Sequence, residues 1–237
     1  MNYYIGIGLI VLLLILLSQT NFLRSAKTIY LISQTSPYEQ QVDGGPKILV
    51  MGDSTGYGTG VSDAKQSVAG LIGQDFSSYT IINNSKNGRT IGELVEPAKE
   101  VAGDYELILL QIGGNDILQK RDLSTVIIEL KEIISTLSPH TKHLVMMTSG
   151  NVGGASAFSE EKATEYESLT RAFRDAFMQT ADETSLTYVD LFLEPEVDTM
   201  ANNPETYLAI DGLHPGAAGY ALWYETLYPV LATKLNN

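Results

Sequence analysis

The sequence predicts an α/β fold, a parallel five-stranded central sheet covered on both faces by helices, over residues 47–237. Three observations predict it. From Lys47 onward, short apolar runs alternate with helix-length stretches, the order that builds parallel strand–helix–strand units. The run Leu107-Ile108-Leu109-Leu110-Gln111-Ile112 is apolar enough to be buried on both faces, as central parallel strands are. Three polar motifs each fall just after a strand or just before a helix. That gathers them at the carboxyl edge of the sheet, where open α/β sheets bind ligands.

In chain order, residues 1–23 stand apart. Tyr3 to Leu17 is almost wholly apolar, and Ile5 to Leu17 carries no charge. This is either the hydrophobic part of a secretory signal or a membrane-spanning helix. No small-x-small cleavage pattern follows closely, and Phe22-Leu23 can extend the span, so a retained single-pass anchor is the expectation. Arg24 and Lys27 follow it, and the positive-inside rule would leave the domain on the cytoplasmic side. Two charges are a weak vote. Cytoplasmic enzymes rarely need such a leader, so an extracytoplasmic domain is preferred, or a secreted one if the segment is cleaved.

Residues 24–46, with Pro37, Gly44, Gly45 and Pro46, read as a linker with one short strand near Ile29-Tyr30-Leu31-Ile32. Lys47 to Gly52 is the first strand of the domain. Ser67 to Phe76 is a helix with Val68, Leu71, Ile72 and Phe76 on one side. Thr80 to Asn83 is the second strand and Ile91 to Val101 is helical. Leu107 to Ile112 is the third strand. Ser124 to Leu137 is an amphipathic helix that Ser124 is placed to cap. His143 to Thr148 is the fourth strand, Ser159 to Glu183 a long helix with Ser159 as cap, and Thr187 to Phe192 the fifth strand. Ala217 to Leu235 closes the chain as a helix.

Composition narrows the function. An apolar fraction of 44% allows a sizeable core, and a net charge of −13 argues against a nucleic-acid partner. Without cysteine there is no disulfide, thiolate metal site or cysteine nucleophile.

The chemistry lies in Gly52-Asp53-Ser54-Thr55-Gly56, Gly113-Gly114-Asn115-Asp116 and Asp211-Gly212-Leu213-His214-Pro215. A serine hydroxyl needs a base within hydrogen-bond reach, and histidine suits that task near neutral pH. Of three histidines, His140 and His143 flank a polar turn after Pro139 and read as solvated. His214 stands three residues after Asp211, so that one short loop presents both an imidazole and an acid to orient it. The alternative is a turn at Asp211-Gly212 with His214 capping the last helix. Charge stabilisation needs fixed donors, and the Ser54 amide, the Gly88 amide and the Asn115 side chain are candidates. An ordinary turn would account for Gly88 or Asn115 taken singly. The run Gly56-Tyr57-Gly58-Thr59-Gly60 hints at a phosphate-cradling loop but lacks the nucleotide-binding spacing. The Gly-x-Ser-x-Gly elbow of α/β-hydrolases is also absent.

Together these residues resemble the SGNH hydrolases, also called the GDSL esterase/lipase family. Four blocks appear in order: Gly-Asp-Ser at 52–54, Asn83 to Thr90, Gly-Gly-Asn-Asp at 113–116, and Asp-x-x-His-Pro at 211–215. Ile81 to Ile117 looks like the corresponding part of bacterial lysophospholipase and thioesterase members. The resemblance implies a flavodoxin-like three-layer α/β/α sandwich with no metal and no cofactor. It implies Ser54 as nucleophile, His214 as base, Asp211 as its partner, and Ser54, Gly88 and Asn115 as the oxyanion hole. Thr55 stands where many members have leucine, which bears on the acyl pocket. The implied activity is that of a serine esterase on a lipid or simple acyl ester. The alternatives are a carbohydrate O-acetyl esterase of the cell envelope and a catalytically idle binding module. The stretches Leu193 to Tyr207 and Ser149 to Phe158 are expected to wall the substrate pocket. Oligomeric state is left open.

Overall fold

The structure, a computed structural model, describes residues 25–235. Five strands form one sheet: β1 (Lys47–Gly52), β2 (Thr80–Ser85), β3 (Tyr105–Gln111), β4 (Thr141–Met147) and β5 (Leu186–Val189). Their order is β2-β1-β3-β4-β5 and every pairing is parallel. The chain therefore leaves β1 toward one edge and returns past it to β3. The crevice opened by that reversal lies at the carboxyl ends of β1 and β3, the expected place for a ligand.

Residues 25–34 are helical and are called α1. The remaining helices are α2 (Ser54–Tyr57), α3 (Val68–Asp75), α4 (Ile91–Lys99), α5 (Gly114–Leu118), α6 (Leu123–Leu137), α7 (Glu160–Asp182), α8 (Thr199–Asn202), α9 (Pro204–Tyr207) and α10 (Ala217–Leu235).

Strand alternation splits the core in two. Ile48, Val50, Leu107, Leu109, Val145 and Val189 point to one face and pack on Val68 and Ile72 of α3, on Phe76 at its C-terminal cap, and on Tyr220, Trp223, Leu227 and Leu231 of α10. Leu49, Met51, Ile108, Leu110, Leu144 and Met146 point to the other and pack on Leu94, Leu130, Ile133, Phe173 and Phe177 of α4, α6 and α7. The central strands are buried on both faces because helices cover both.

Several expectations need correction. The strand expected near Ile29 to Ile32 is instead part of α1. Isoleucine and tyrosine there suggest a strand by propensity, but tertiary contacts override so weak a preference. Leu31 is buried, and the Thr35 hydroxyl donates to the carbonyls of Leu31 and Val61, at 2.9 and 3.0 Å. Gln40 then pairs with Ile81 through two backbone hydrogen bonds. Residues read as a spacer thus make specific contacts with the sheet domain. Asp122, not Ser124, caps α6; its carboxylate accepts from the Thr125 amide at 2.9 Å. Ser159 holds the N-cap position of α7 but makes no side-chain cap bond. His143 lies on β4 rather than in a turn, and burial lowers its pKa. Among the described residues, no helix is long and apolar enough to cross a membrane. The anchor or signal expected at residues 1–23 lies outside the described residues.

Candidate active site

β1 delivers the serine. Its last residue, Gly52, is followed by Asp53 in extended conformation, whose carboxylate accepts from the Thr55 amide and the Thr55 hydroxyl, both at 2.8 Å. This N-cap starts the one-turn helix α2 at Ser54 and lifts its hydroxyl beyond the sheet edge. Thr55, which the sequence associates with the acyl pocket, is tied into that cap and buried.

The loop between α9 and α10 delivers the base. One Asp211 oxygen, Oδ1, accepts from the amides of Leu213 and His214 at 3.0 and 3.1 Å. The other, Oδ2, lies 2.7 Å from His214 Nδ1. His214 Nε2 in turn lies 2.9 Å from Ser54 Oγ, across 160 residues of sequence. A carboxylate can only accept, so Nδ1 carries the proton and Nε2 presents its lone pair to the serine hydroxyl. The alternative, in which His214 merely caps the last helix, does not describe this loop.

The two loops meet because residue 60 is glycine. Its φ is +118°, and a Cβ there would overlap the Pro215 carbonyl oxygen. The glycine run after Ser54, suggestive of phosphate binding in the sequence, serves at this position to let the histidine loop approach. Tyr220 of α10 clamps the same junction by donating to the Thr59 carbonyl at 2.7 Å.

The carboxylates around His214 are pushed apart. Burial works to raise Asp211, but the hydrogen bond and charge of His214 and the two loop amides outweigh it and bring the group to about 2. Burial raises Asp53 to about 6, although the Thr55 bonds and His214 oppose it.

The candidate oxyanion donors belong to residues that line the same cavity. The Ser54 amide opens the first turn of α2, where N–H groups have no intrahelical partner. Gly88 sits in the turn after β2 with φ +79°, a left-handed conformation that glycine adopts without strain. Asn115 is in the first turn of α5, after β3, and its side-chain amide donates to the Arg89 carbonyl at 3.2 Å. An amide group has two N–H donors, so this bond fixes the Asn115 side chain and leaves a second donor. Asn87, beside Gly88, accepts from the Thr59 hydroxyl at 2.6 Å and ties the β2 turn to the serine loop. Ser54, Gly88, Asn115 and His214 all line one cavity.

The sequence model of the GDSL-like lipase/acylhydrolase family matches residues 50–222. The chain belongs to that family. It is accordingly a carboxylic ester hydrolase of the serine type. No curated protein matches it in sequence. Solved structures do match in fold. A lipolytic protein of the G-D-S-L family from Veillonella parvula superposes with TM-score 0.65 at 18% identity, covering 79% of this chain and 99% of that one. TesA superposes with TM-score 0.64 at 19% identity, covering 80% and 99%. Axe2, an acetylxylan esterase from Geobacillus stearothermophilus, gives TM-score 0.55 at 20% identity, covering 78% and 93%.

In this GDSL-family chain the cavity measures about 510 Å³. Its walls include Leu118, Val152, Leu191, Leu193, Met200, Leu213, Leu222 and Trp223. Both stretches expected as walls contribute: Ser149 to Val152 on one side, and Leu193, Asp198, Met200 and Ala201 on the other.

Sequence reasoning missed three supports. Asp116 is fully buried and accepts from the Ile91 amide and from Arg121, tying α5 to the start of α4. Its position directly after Asn115 was the available signal. Asp53 was visible in the motif, but its capping role was not assigned. Thr28 and Ile32 of α1 also line the cavity, and no motif marks them.

Proposed function

We propose that the protein hydrolyses esters of apolar acyl groups, either lipid esters or simple acyl esters, through an acyl-enzyme on Ser54. Ser54 Oγ attacks the ester carbonyl carbon while His214 Nε2 takes its proton, and Asp211 stabilises the resulting imidazolium. The carbonyl oxygen, now an oxyanion, is received by the N–H groups of Ser54, Gly88 and Asn115. Collapse expels the alcohol, which takes the proton from Nε2. A water then gives a proton to Nε2 and attacks the acyl carbon, and Ser54 leaves with that proton as the acid is released.

The observation that carries this reading is the unbroken Asp211–His214–Ser54 chain, at 2.7 and 2.9 Å, opening into a mainly apolar cavity. The cavity volume of about 510 Å³ lies within the usual range for small-molecule sites. An acetyl group would leave most of those walls uncovered, which favours a longer acyl chain over a carbohydrate O-acetyl ester.

The test is a p-nitrophenyl ester series of increasing acyl length, run with acetylated sugars and acyl thioesters. Activity is expected to rise from acetyl to longer chains and to vanish in Ser54→Ala with folding intact. A maximum at acetyl would favour the carbohydrate reading. Failure of a fluorophosphonate probe to modify Ser54 would favour an idle binding module. We further infer that the apolar run at residues 5–17 tethers the enzyme to a membrane with the domain outside. Protease shaving of intact cells should then release activity, and survival of the domain without permeabilisation would reverse the orientation.

A further inference from the structure

We propose that α1 completes the catalytic site, with Thr28 as a positioning residue for the acid of the triad. The inference rests on the assignment of Asp211, His214 and Ser54 made above. Among the described residues, Asp211 accepts four hydrogen bonds. Three come from its own tight turn: the amides of Leu213 and His214 on Oδ1 and the imidazole on Oδ2. The fourth comes from 183 residues away, where the Thr28 hydroxyl donates to Oδ2 at 3.1 Å. It therefore lands on the same oxygen that receives His214 Nδ1.

The placement has two consequences. The amides hold one edge of the carboxylate, and the hydroxyl holds the other, so the plane of the group is fixed against rotation about its last bond. The hydroxyl also takes up part of the charge that Oδ2 would otherwise direct wholly at the imidazole. A hydrogen bond to a charged acceptor is among the stronger ones in a protein, and here it is partly shielded from water. α1 is held in register for this contact by Leu31, buried against the domain, and by Thr35, whose hydroxyl reaches the Val61 carbonyl at 3.0 Å. Ile32, one turn beyond Thr28, lines the cavity. The same helix therefore meets both the triad and the acyl wall.

Other ionisable groups act on this dyad. Asp53 bears on His214 from the β1–α2 turn, and Tyr220 bears on Asp211 from α10. Lys27, next to Thr28 in the chain, is exposed. None of them changes in the variants below.

The experiment compares the full-length chain with Thr28→Val and Thr28→Ser, measuring kcat, KM and the pH profile of kcat/KM on one p-nitrophenyl ester. Thr28→Val keeps the shape and removes the donor. It is expected to lower kcat about tenfold with KM little changed, the loss of one bond to a charged group. The acid limb of its profile should move to higher pH, because a carboxylate with one donor fewer holds the imidazolium proton more tightly. Thr28→Ser keeps the donor and should restore both. If Thr28→Val fails to fold, Thr28→Ala gives the same comparison with serine. Wild-type kcat and acid limb in Thr28→Val would overturn the proposal, as would equal impairment of the valine and serine variants, which would make the contact one of packing. Ser54→Ala separates the two levels: if it is inactive while Thr28→Val behaves as wild type, only this inference fails, and if it remains active, the triad assignment fails first.

Discussion

Asp53 and Asp211 both act on one imidazole, yet they sit on opposite sides of the ordinary carboxylate range, at about 6 and about 2. The difference is one of partners. Among the described residues Asp211 has an imidazole, two amides and a hydroxyl, whereas Asp53 accepts from Thr55 alone and is almost wholly buried. Their effects on stability therefore have opposite signs. Asp53 favours the folded state when protonated, so its contribution is complete below the ordinary carboxylate range and is lost as pH rises through about 6. Asp211 favours the folded state when ionised, so its contribution holds above the ordinary range and is lost as pH falls toward about 2. Asp53→Asn keeps an oxygen for the Thr55 amide and removes the charge. It is expected to raise Tm at pH 8 and to change it little at pH 4, as thermal melts at the two values would show. Asn115→Ala removes one proposed oxyanion donor and should lower kcat by about 10²–10³, with KM nearly constant in steady-state kinetics. The five candidate residues, Ser54, Gly88, Asn115, Asp211 and His214, were legible in the sequence as a set, because they fall in four ordered motif blocks. Thr28 was not, because a threonine on a helix carries no signal until its partner 183 residues away is known.

At the scale of elements, the site depends on how closely two loops approach. Gly60 allows the serine loop to lie against the Pro215 carbonyl in a backbone conformation closed to other residues. Gly60→Ala should displace the His214 loop by a fraction of an ångström or more. A misplacement of about 1 Å can cost on the order of 10²-fold in rate. The expected result is a kcat at least about tenfold lower with far-ultraviolet circular dichroism unchanged. The strands and long helices were legible because their apolar period is strong. α2, α5, α8 and α9 are each one turn or little more, too short for a period to show. The cap of α6 was misread because two capable residues, Asp122 and Ser124, lie two positions apart. Only geometry distinguishes which side chain faces the Thr125 amide. α4 opens on a reciprocal capping box between Thr90 and Glu93, a cap the sequence analysis did not pick out.

At the scale of the molecule, the sheet order places the three strand ends that lead to Gly88, Ser54 and Asn115 side by side, as β2-β1-β3, and the loop before the C-terminal helix brings His214. α10 follows the His214 loop, packs on α3 and is fastened at both ends. Tyr220 bonds to the Thr59 carbonyl at 2.7 Å, and Tyr79 donates to the Leu235 carbonyl at 2.7 Å. Tyr220 is fully buried, so its phenol is held well above its ordinary pKa and remains a donor. Tyr220→Phe leaves the Thr59 carbonyl without that donor. It should destabilise the protein by about 1–3 kcal/mol in urea unfolding and lower activity together with stability. The layered α/β architecture was legible from the alternation of apolar runs, whereas the way the first and last helices close the site was not, since neither closure leaves a local pattern.

α1 contributes Thr28 and Ile32 to the wall of the substrate cavity. The membrane tether we propose would join the described chain at residue 25, on the same helix as Thr28 and Ile32 of the cavity wall. Under that proposal the helix that would carry the mooring also lines the chamber holding Ser54, so an ester dissolved in the same membrane would be favoured over one free in solution.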